Sequence, residues 1–181
     1  MSQLTIYLEN APKSPLIQYS NGDVIAVELA KVGVKFERWS VKIDLADDVS
    51  NEDIITAYRQ NIDKLIQESG YKTFDVINMY PDHPQKTELR QKFLAEHIHA
   101  DDEIRFFIQG KGLFVLHIED QVYELLCEKN DLINVPAGTR HWFDMGENPL
   151  FSCIRIFDTL EGWVANFTGS DIAEKFSRLA T

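Results

Sequence analysis

Apolar positions change their spacing twice along the chain. Residues 4–8 and 34–39 read as short strands. Between 50 and 70 the period lengthens, and Ile54, Ile55, Tyr58, Ile62, Leu65 and Ile66 fall on one helical stripe. Ser50 with Asp53 opens that stripe in the manner of a capping box with a shorter acid, and Gly70 closes it. The spacing predicts one amphipathic helix covering a sheet, and a shorter helix over 87–93. From 96 to 158 short β runs follow at 103–109, 113–119, 122–127, 131–135, 141–145 and 150–157. Gly110-Lys111-Gly112, Glu119-Asp120 and Pro136-Ala137-Gly138 separate them and predict reversals between antiparallel neighbours. A short helix over 171–179 ends the pattern. The order predicts a mainly β fold with flanking helices, closed as a barrel or sandwich. No repeat or linker divides it, so one domain over 1–181 is expected, with a helix-containing part over about 1–95 and a β unit over about 96–165.

Composition narrows the partners. A chain of 181 residues, 44% apolar, is long enough to enclose a core without disulfide staples. Eighteen basic against 29 acidic side chains leave a formal charge of −11, a field that opposes phosphate backbones and anionic lipid headgroups. Neither nucleic acid nor a membrane is expected as a partner. No segment is apolar for long enough to cross a bilayer, and residues 1–9 lack the basic start and apolar stretch of a secretory leader, so a cytoplasmic location is expected. Cys127 and Cys153 lie in apolar runs without CxxC spacing, which predicts buried thiols.

The chemistry gathers in His97-Ile98-His99-Ala100-Asp101-Asp102-Glu103. On extended backbone the side chains at i and i+2 share a face, so His97 and His99 can converge on one point. Glu103 rejoins them if the intervening link turns, although Asp101 or Asp102 could supply the carboxylate instead. His141 follows a tight Pro136-Ala137-Gly138 turn that would bring a new strand beside the first. Near neutral pH imidazole is largely uncharged and Glu is ionised, a donor set suited to first-row divalent metals and ill suited to Ca²⁺ or Mg²⁺. Four ligands on an octahedral ion leave two positions open for a substrate or dioxygen. Arg105 lies two residues after Glu103 and faces the same cavity if Glu103 does; an ordinary ion-paired strand arginine is the alternative. Arg155 is the only charge within 151–157, so its burial requires either an internal acid or an anionic ligand. Phe143 shares the face of His141. His83 reads as a solvated loop residue, and His117 as a hydrogen-bonded core residue.

These residues resemble the cupin superfamily, whose first motif, HxHx(3-4)Ex(6)G, is met by His97, His99, Glu103 and Gly110. The PxGxxH centre of its second motif is met by Pro136, Gly138 and His141. Gln91 and Asn130 stand where glycines usually lead the two motifs, and Met145 where Asn is usual; Asn tolerates left-handed backbone better than most residues. More narrowly, residues 97–114 and 136–146, with Arg155 and Trp163 downstream, resemble the bacterial acireductone dioxygenases of methionine salvage. That resemblance implies a cupin-type antiparallel β-barrel (jelly roll) holding one Fe²⁺ or Ni²⁺ ion per chain on His97, His99, Glu103 and His141. It implies Arg105 as the residue that stabilises substrate charge, and Phe93, Phe143, Arg155 and Trp163 as the substrate pocket. Acireductone and O₂ are then the partners of an expected monomer. The Fe form would yield formate and 2-keto-4-methylthiobutyrate; the Ni form would yield formate, CO and methylthiopropionate. Another metal-dependent cupin dioxygenase or isomerase, or a cupin that binds a small molecule without turnover, are the rival readings.

Overall fold

The computed structural model describes residues 1–46 and 49–179, with Trp163 by its backbone only. In chain order the strands and helices are β1 (Gln3–Leu8), β2 (Ile17–Tyr19), α1 (Gly22–Ala30), β3 (Lys35–Arg38), α2 (Asn51–Ala57), α3 (Arg59–Ser69), β4 (Thr73–Met79) and α4 (Lys86–Leu94). There follow β5 (His97–Ile98), β6 (Glu103–Ile118), β7 (Gln121–Glu128), β8 (Asp131–Val135), β9 (Arg140–Asp144), β10 (Phe151–Phe157), a 3-10 turn at Glu161–Trp163, β11 (Asn166–Phe167) and α5 (Ile172–Lys175). Every strand pairing among the described residues is antiparallel. One sheet runs β11-β5-β9-β6-β7-β1-β2, and a second runs β4-β10-β6-β8-β3. The fold is the mainly antiparallel barrel with flanking helices that the pattern predicts.

β6 joins the two sheets, and here the structure corrects the sequence reading. Gly110-Lys111-Gly112 makes no hairpin: residues 103–118 form one strand that changes partners. Glu103 to Phe106 pair with β8, residues 104–110 pair with β10, and residues 111–118 pair with β7. The chain bends at Gly110 (φ +66) because strands are available on both sides of the bend, so each half is paired without a reversal. A Cβ at Gly110 would lie 1.8 Å from the Leu150 carbonyl oxygen, so the crossing admits only glycine. Asn130 takes left-handed backbone (φ +79) and donates its N–H to the Phe107 carbonyl at 2.8 Å, so Asn serves where glycine is usual.

The sheets enclose a core that includes Leu4, Phe36, Phe107, Phe114, Leu125, Ile133 and Phe143. Outside it, Ile54, Tyr58, Ile62 and Leu65 pack on Ile104, Phe106, Ile108 and Ile156, so the predicted stripe does cover a sheet. The expected single helix is two. Ser50 caps the first by accepting the Asp53 N–H at 3.1 Å. The chain turns at Tyr58, whose ring is buried against Phe106 and whose hydroxyl donates to the Ile108 carbonyl at 3.4 Å. Gly70 ends the second segment in left-handed backbone. The closing helix is confined to α5, whose Ile172 and Ala173, with Phe176, cover Trp142 and Val115. Cys127 and Cys153 are free and buried, as expected.

Gly110→Ala should lower stability by about 2–5 kcal/mol, from left-handed strain plus overpacking against backbone. A urea midpoint unchanged from the parent would show that the β6 crossing tolerates a side chain.

Candidate metal centre

Each candidate ligand is delivered by backbone pairing. His97 on β5 stands directly opposite His141 on β9, and His141 pairs in turn with Leu116 on β6. Glu103 is the first residue of β6 and pairs with Val135. The Pro136-Ala137-Gly138 turn is clamped to the first motif twice: Gly138 N–H donates to the His99 carbonyl at 3.0 Å, and Ala137 N–H donates to Asp102 Oδ1 at 2.8 Å. Gly138 is left-handed (φ +74), which lets the turn close this tightly. Asp101 accepts from the backbone N–H and hydroxyl of Thr159 at 2.9 and 2.6 Å. Both aspartates are therefore committed to loop anchoring, and Glu103 is the carboxylate that reaches the histidines.

His97, His99 and His141 are buried, and their ligand atoms all lie within 4.8 Å of one another. In each ring Nδ1 donates to a main-chain carbonyl: His97 to Ala95 at 2.8 Å, His99 to Val164 at 3.0 Å and His141 to Thr139 at 2.8 Å. That bond puts the ring hydrogen on Nδ1 and leaves the Nε2 lone pair to face inward. Glu103 Oε2 lies 3.3 Å from His99 Nε2 and 3.6 Å from His141 Nε2. His99 Nε2, His141 Nε2 and Glu103 Oε2 are buried without a hydrogen-bond partner among the described residues. Orphaned acceptor atoms that converge in a buried site fit a divalent cation.

Burial pushes the His97 imidazole down to about 4 and that of His141 to about 3, the neighbouring imidazoles adding to the effect. Both are neutral at physiological pH and ready to ligate. Burial alone would raise Glu103, but the adjacent Arg105 guanidinium, with Arg155 beyond it, holds its carboxyl well below the usual range. Arg105 donates Nε–H to Glu103 Oε1 at 2.7 Å and packs against the adjacent rings of Phe114 and Phe143, 4.9 and 5.0 Å from their centroids. Its Nη1 is buried and has no partner among the described residues.

A cavity of about 300 Å³ opens beside these groups, its wall including His97, His99, Arg105, Arg155 and Phe93. Phe143 is fully buried in the layer beneath Arg105, in ring contact with Phe93, Phe107 and Phe151. Arg155 has an internal partner: Nε and Nη2 donate to Asp75 at 2.9 and 2.6 Å, while Nη1 stands 3.8 Å from Glu103 Oε1. It still borders the cavity. The side chain of Trp163, expected in the pocket, lies outside the described residues. His117 is a hydrogen-bonded core residue, as its sequence setting suggests, between Glu96 at 2.7 Å and Glu9 at 2.9 Å. Sequence reading missed Asp75, because β4 carries no clear alternation, and it missed His83 and Lys92, which also border the cavity. The Pro81-Asp82-His83-Pro84 run was the available signal for His83, since two prolines restrict the loop that carries it.

The sign of the acid dependence follows from the two depressed imidazoles. Unfolded histidines take up protons near 6.5 whereas buried His97 and His141 do not until about 4 and 3, so acidification favours the unfolded chain. The metal-free protein should lose a few kcal/mol of stability as pH falls from about 7 to about 4.5, each of the two imidazoles contributing up to about 1.4 kcal/mol for every pH unit crossed below the unfolded titration. Urea midpoints measured across that window check this; His141→Gln should show a shallower fall, and an equally steep one would contradict the assignment.

Comparison with known proteins agrees with this geometry. The chain matches the model of the ARD/ARD' family over residues 3–165. It is 58% identical over 180 residues to an acireductone dioxygenase of Cronobacter sakazakii, covering 99% of this chain and 100% of that one. It is 56% identical over 179 residues to an acireductone dioxygenase of Pseudomonas aeruginosa, covering 99% of each. Among solved structures, an acireductone dioxygenase from Bacillus anthracis with a cadmium ion in its active centre superimposes with a TM-score of 0.80 at 30% identity, covering 92% of this chain and 98% of that one. With its fold, its converging histidines and full-length relatives in agreement, this chain belongs to the ARD/ARD' family.

Proposed function

We propose that this chain is a metal-dependent dioxygenase that cleaves acireductone (1,2-dihydroxy-3-keto-5-methylthiopentene) with O₂ in methionine salvage. The observation that carries the reading is a buried three-histidine, one-carboxylate set, in which His99 Nε2, His141 Nε2 and Glu103 Oε2 lack partners among the described residues, beside a cavity bordered by two arginines. His97, His99, Glu103 and His141 would hold one Fe²⁺ or Ni²⁺ ion. Bound there, the ion would supply Lewis acidity and a template for the substrate's oxygens.

The protein's part is largely electrostatic. Within a chain of net charge −11, the cavity wall carries Arg105, Arg155 and Lys92 against Asp75 as its sole acid among the described residues. An anionic enediolate is therefore favoured over a neutral diol; one unit charge 4 Å away contributes roughly 4 kcal/mol at an effective dielectric of about 20, before the opposing charges of Glu103 and Asp75 and desolvation are subtracted. Arg105 suits the charge best, because its unpartnered Nη1 is already desolvated and its guanidinium is backed by two rings. Asp75 anchors Arg155 on the opposite side. Met79, Leu89 and Phe93 border the same cavity and would receive the methylthio tail. Fe and Ni use the same donors, so product analysis distinguishes them: formate with 2-keto-4-methylthiobutyrate for Fe, or formate, CO and methylthiopropionate for Ni. Among the described residues no helix is long and apolar enough to cross a membrane.

Anaerobic purification with elemental analysis, then oxygen uptake on acireductone with product identification, tests the whole reading. A metal-loaded protein that consumes no oxygen with acireductone would sink it. His97→Ala, His99→Ala, Glu103→Ala and His141→Ala should each deplete bound metal and cut turnover by at least about 100-fold. Any one that keeps both is removed from the ligand set. Arg105→Ala should keep its metal and lose about 10²–10³ in kcat, and unchanged kinetics would contradict its role.

A further inference from the structure

His83 follows β4 on the loop leading to α4, and it borders the cavity together with His97, His99 and Arg105. The loop is built to hold it. Pro81 and Pro84 flank it, its own N–H donates to the Tyr80 carbonyl at 3.0 Å, and its carbonyl accepts from Lys86 N–H at 3.1 Å. The Tyr80 ring stands against the imidazole edge to face, 5.1 Å between centroids. Lys86 Nζ also donates to the Pro81 carbonyl at 2.5 Å. A half-buried histidine on a loop would ordinarily sample several rotamers, and here its backbone is tied on both sides and its ring is packed.

The ring's hydrogen bonding runs opposite to that of the three metal-site histidines. His83 Nδ1 accepts the Gln85 N–H at 3.2 Å, which in the neutral ring places the hydrogen on Nε2. Such a ring offers a donor where His97, His99 and His141 offer lone pairs, so it is suited to an oxygen of a ligand and unsuited to a cation. Nε2 has no partner among the described residues. We propose that His83 donates a hydrogen bond from Nε2 to an oxygen of the anionic enediolate bound in this cavity, orienting the substrate from the side of the β4–α4 loop. The inference rests on the acireductone reading given above, and it adds to that reading a fourth histidine with the reverse tautomer.

The test separates a donor from a loop brace. In metal-loaded full-length protein, kcat and KM for acireductone are measured by oxygen uptake for the parent and for His83→Ala, His83→Asn and His83→Gln, alongside metal content and melting temperature. Asn places its polar group near the Nδ1 position and can still receive the Gln85 N–H, whereas Gln reaches the Nε2 position with an N–H donor. The Ala and Asn variants are expected to lose about tenfold or more in kcat/KM, the scale of a hydrogen bond to a charged group, with metal content and melting temperature unchanged. Gln should recover most of the loss. Parental kinetics in His83→Ala, recovery by Asn, or a Gln variant no better than Ala overturns the proposal while the parent's turnover leaves the acireductone reading standing. A metal-loaded parent that does not turn over acireductone overturns both.

Discussion

Removing three imidazoles and a carboxylate from water is tolerable only when every atom turned away from their meeting point is satisfied. Here each Nδ1–H meets a carbonyl and Glu103 Oε1 meets the Arg105 guanidinium. The atoms left over, two imidazole nitrogens and one carboxylate oxygen among them, are therefore the inward ones. Desolvation lowers the imidazoles, keeping them neutral, while the neighbouring cation keeps the carboxylate ionised. Burial thus prepares the imidazoles to ligate but works against the carboxylate, and it is the Arg105 guanidinium that overcomes this and leaves both ligand types ready for a cation.

β6 connects this chemistry to the scaffold. Its first residue is Glu103, its third is Arg105, and beyond the bend Phe114 supports the Arg105 plane and stacks on the His141 ring, 5.3 Å between centroids. One strand therefore supplies the carboxylate, the cation paired with it and an aromatic surface shared by that cation and a ligand. Because its halves belong to different sheets, the site lies where the sheets meet, and the side chains around it are fixed by pairing from both. Gly112 continues the tight fit: a Cβ there would come within 2.2 Å of the Phe143 ring that backs Arg105.

Local signals were well preserved in the sequence, and long-range ones were not. The HxH alternation and the PxG turn specify which side chains share a face, so the three histidines could be brought together from spacing, whereas the choice of Glu103 over Asp101 and Asp102 needed the loop anchoring of the two aspartates. Asn130 could likewise be read as a left-handed position. Glycines at 110 and 112 gave a misleading cue, because a glycine pair marks both a reversal and a close crossing, and only the distant Leu150 carbonyl decides between them. The break at Tyr58 is equally non-local, set by Phe106 and Ile108 some fifty residues later. β4 lacks alternation because most of its residues are half-buried, so Asp75 and its pairing with Arg155 were invisible until the strand was placed.

The oxygens that orient the three imidazoles belong to Ala95, Thr139 and Val164, and all three are peptide oxygens. Side chains at those positions can drift in evolution without disturbing the tautomers, since any residue contributes the same acceptor. What selection must preserve there is the path of the main chain. Relatives could therefore differ freely at the very residues that aim their ligands, and a search for invariant orienting side chains would overlook how the centre is held.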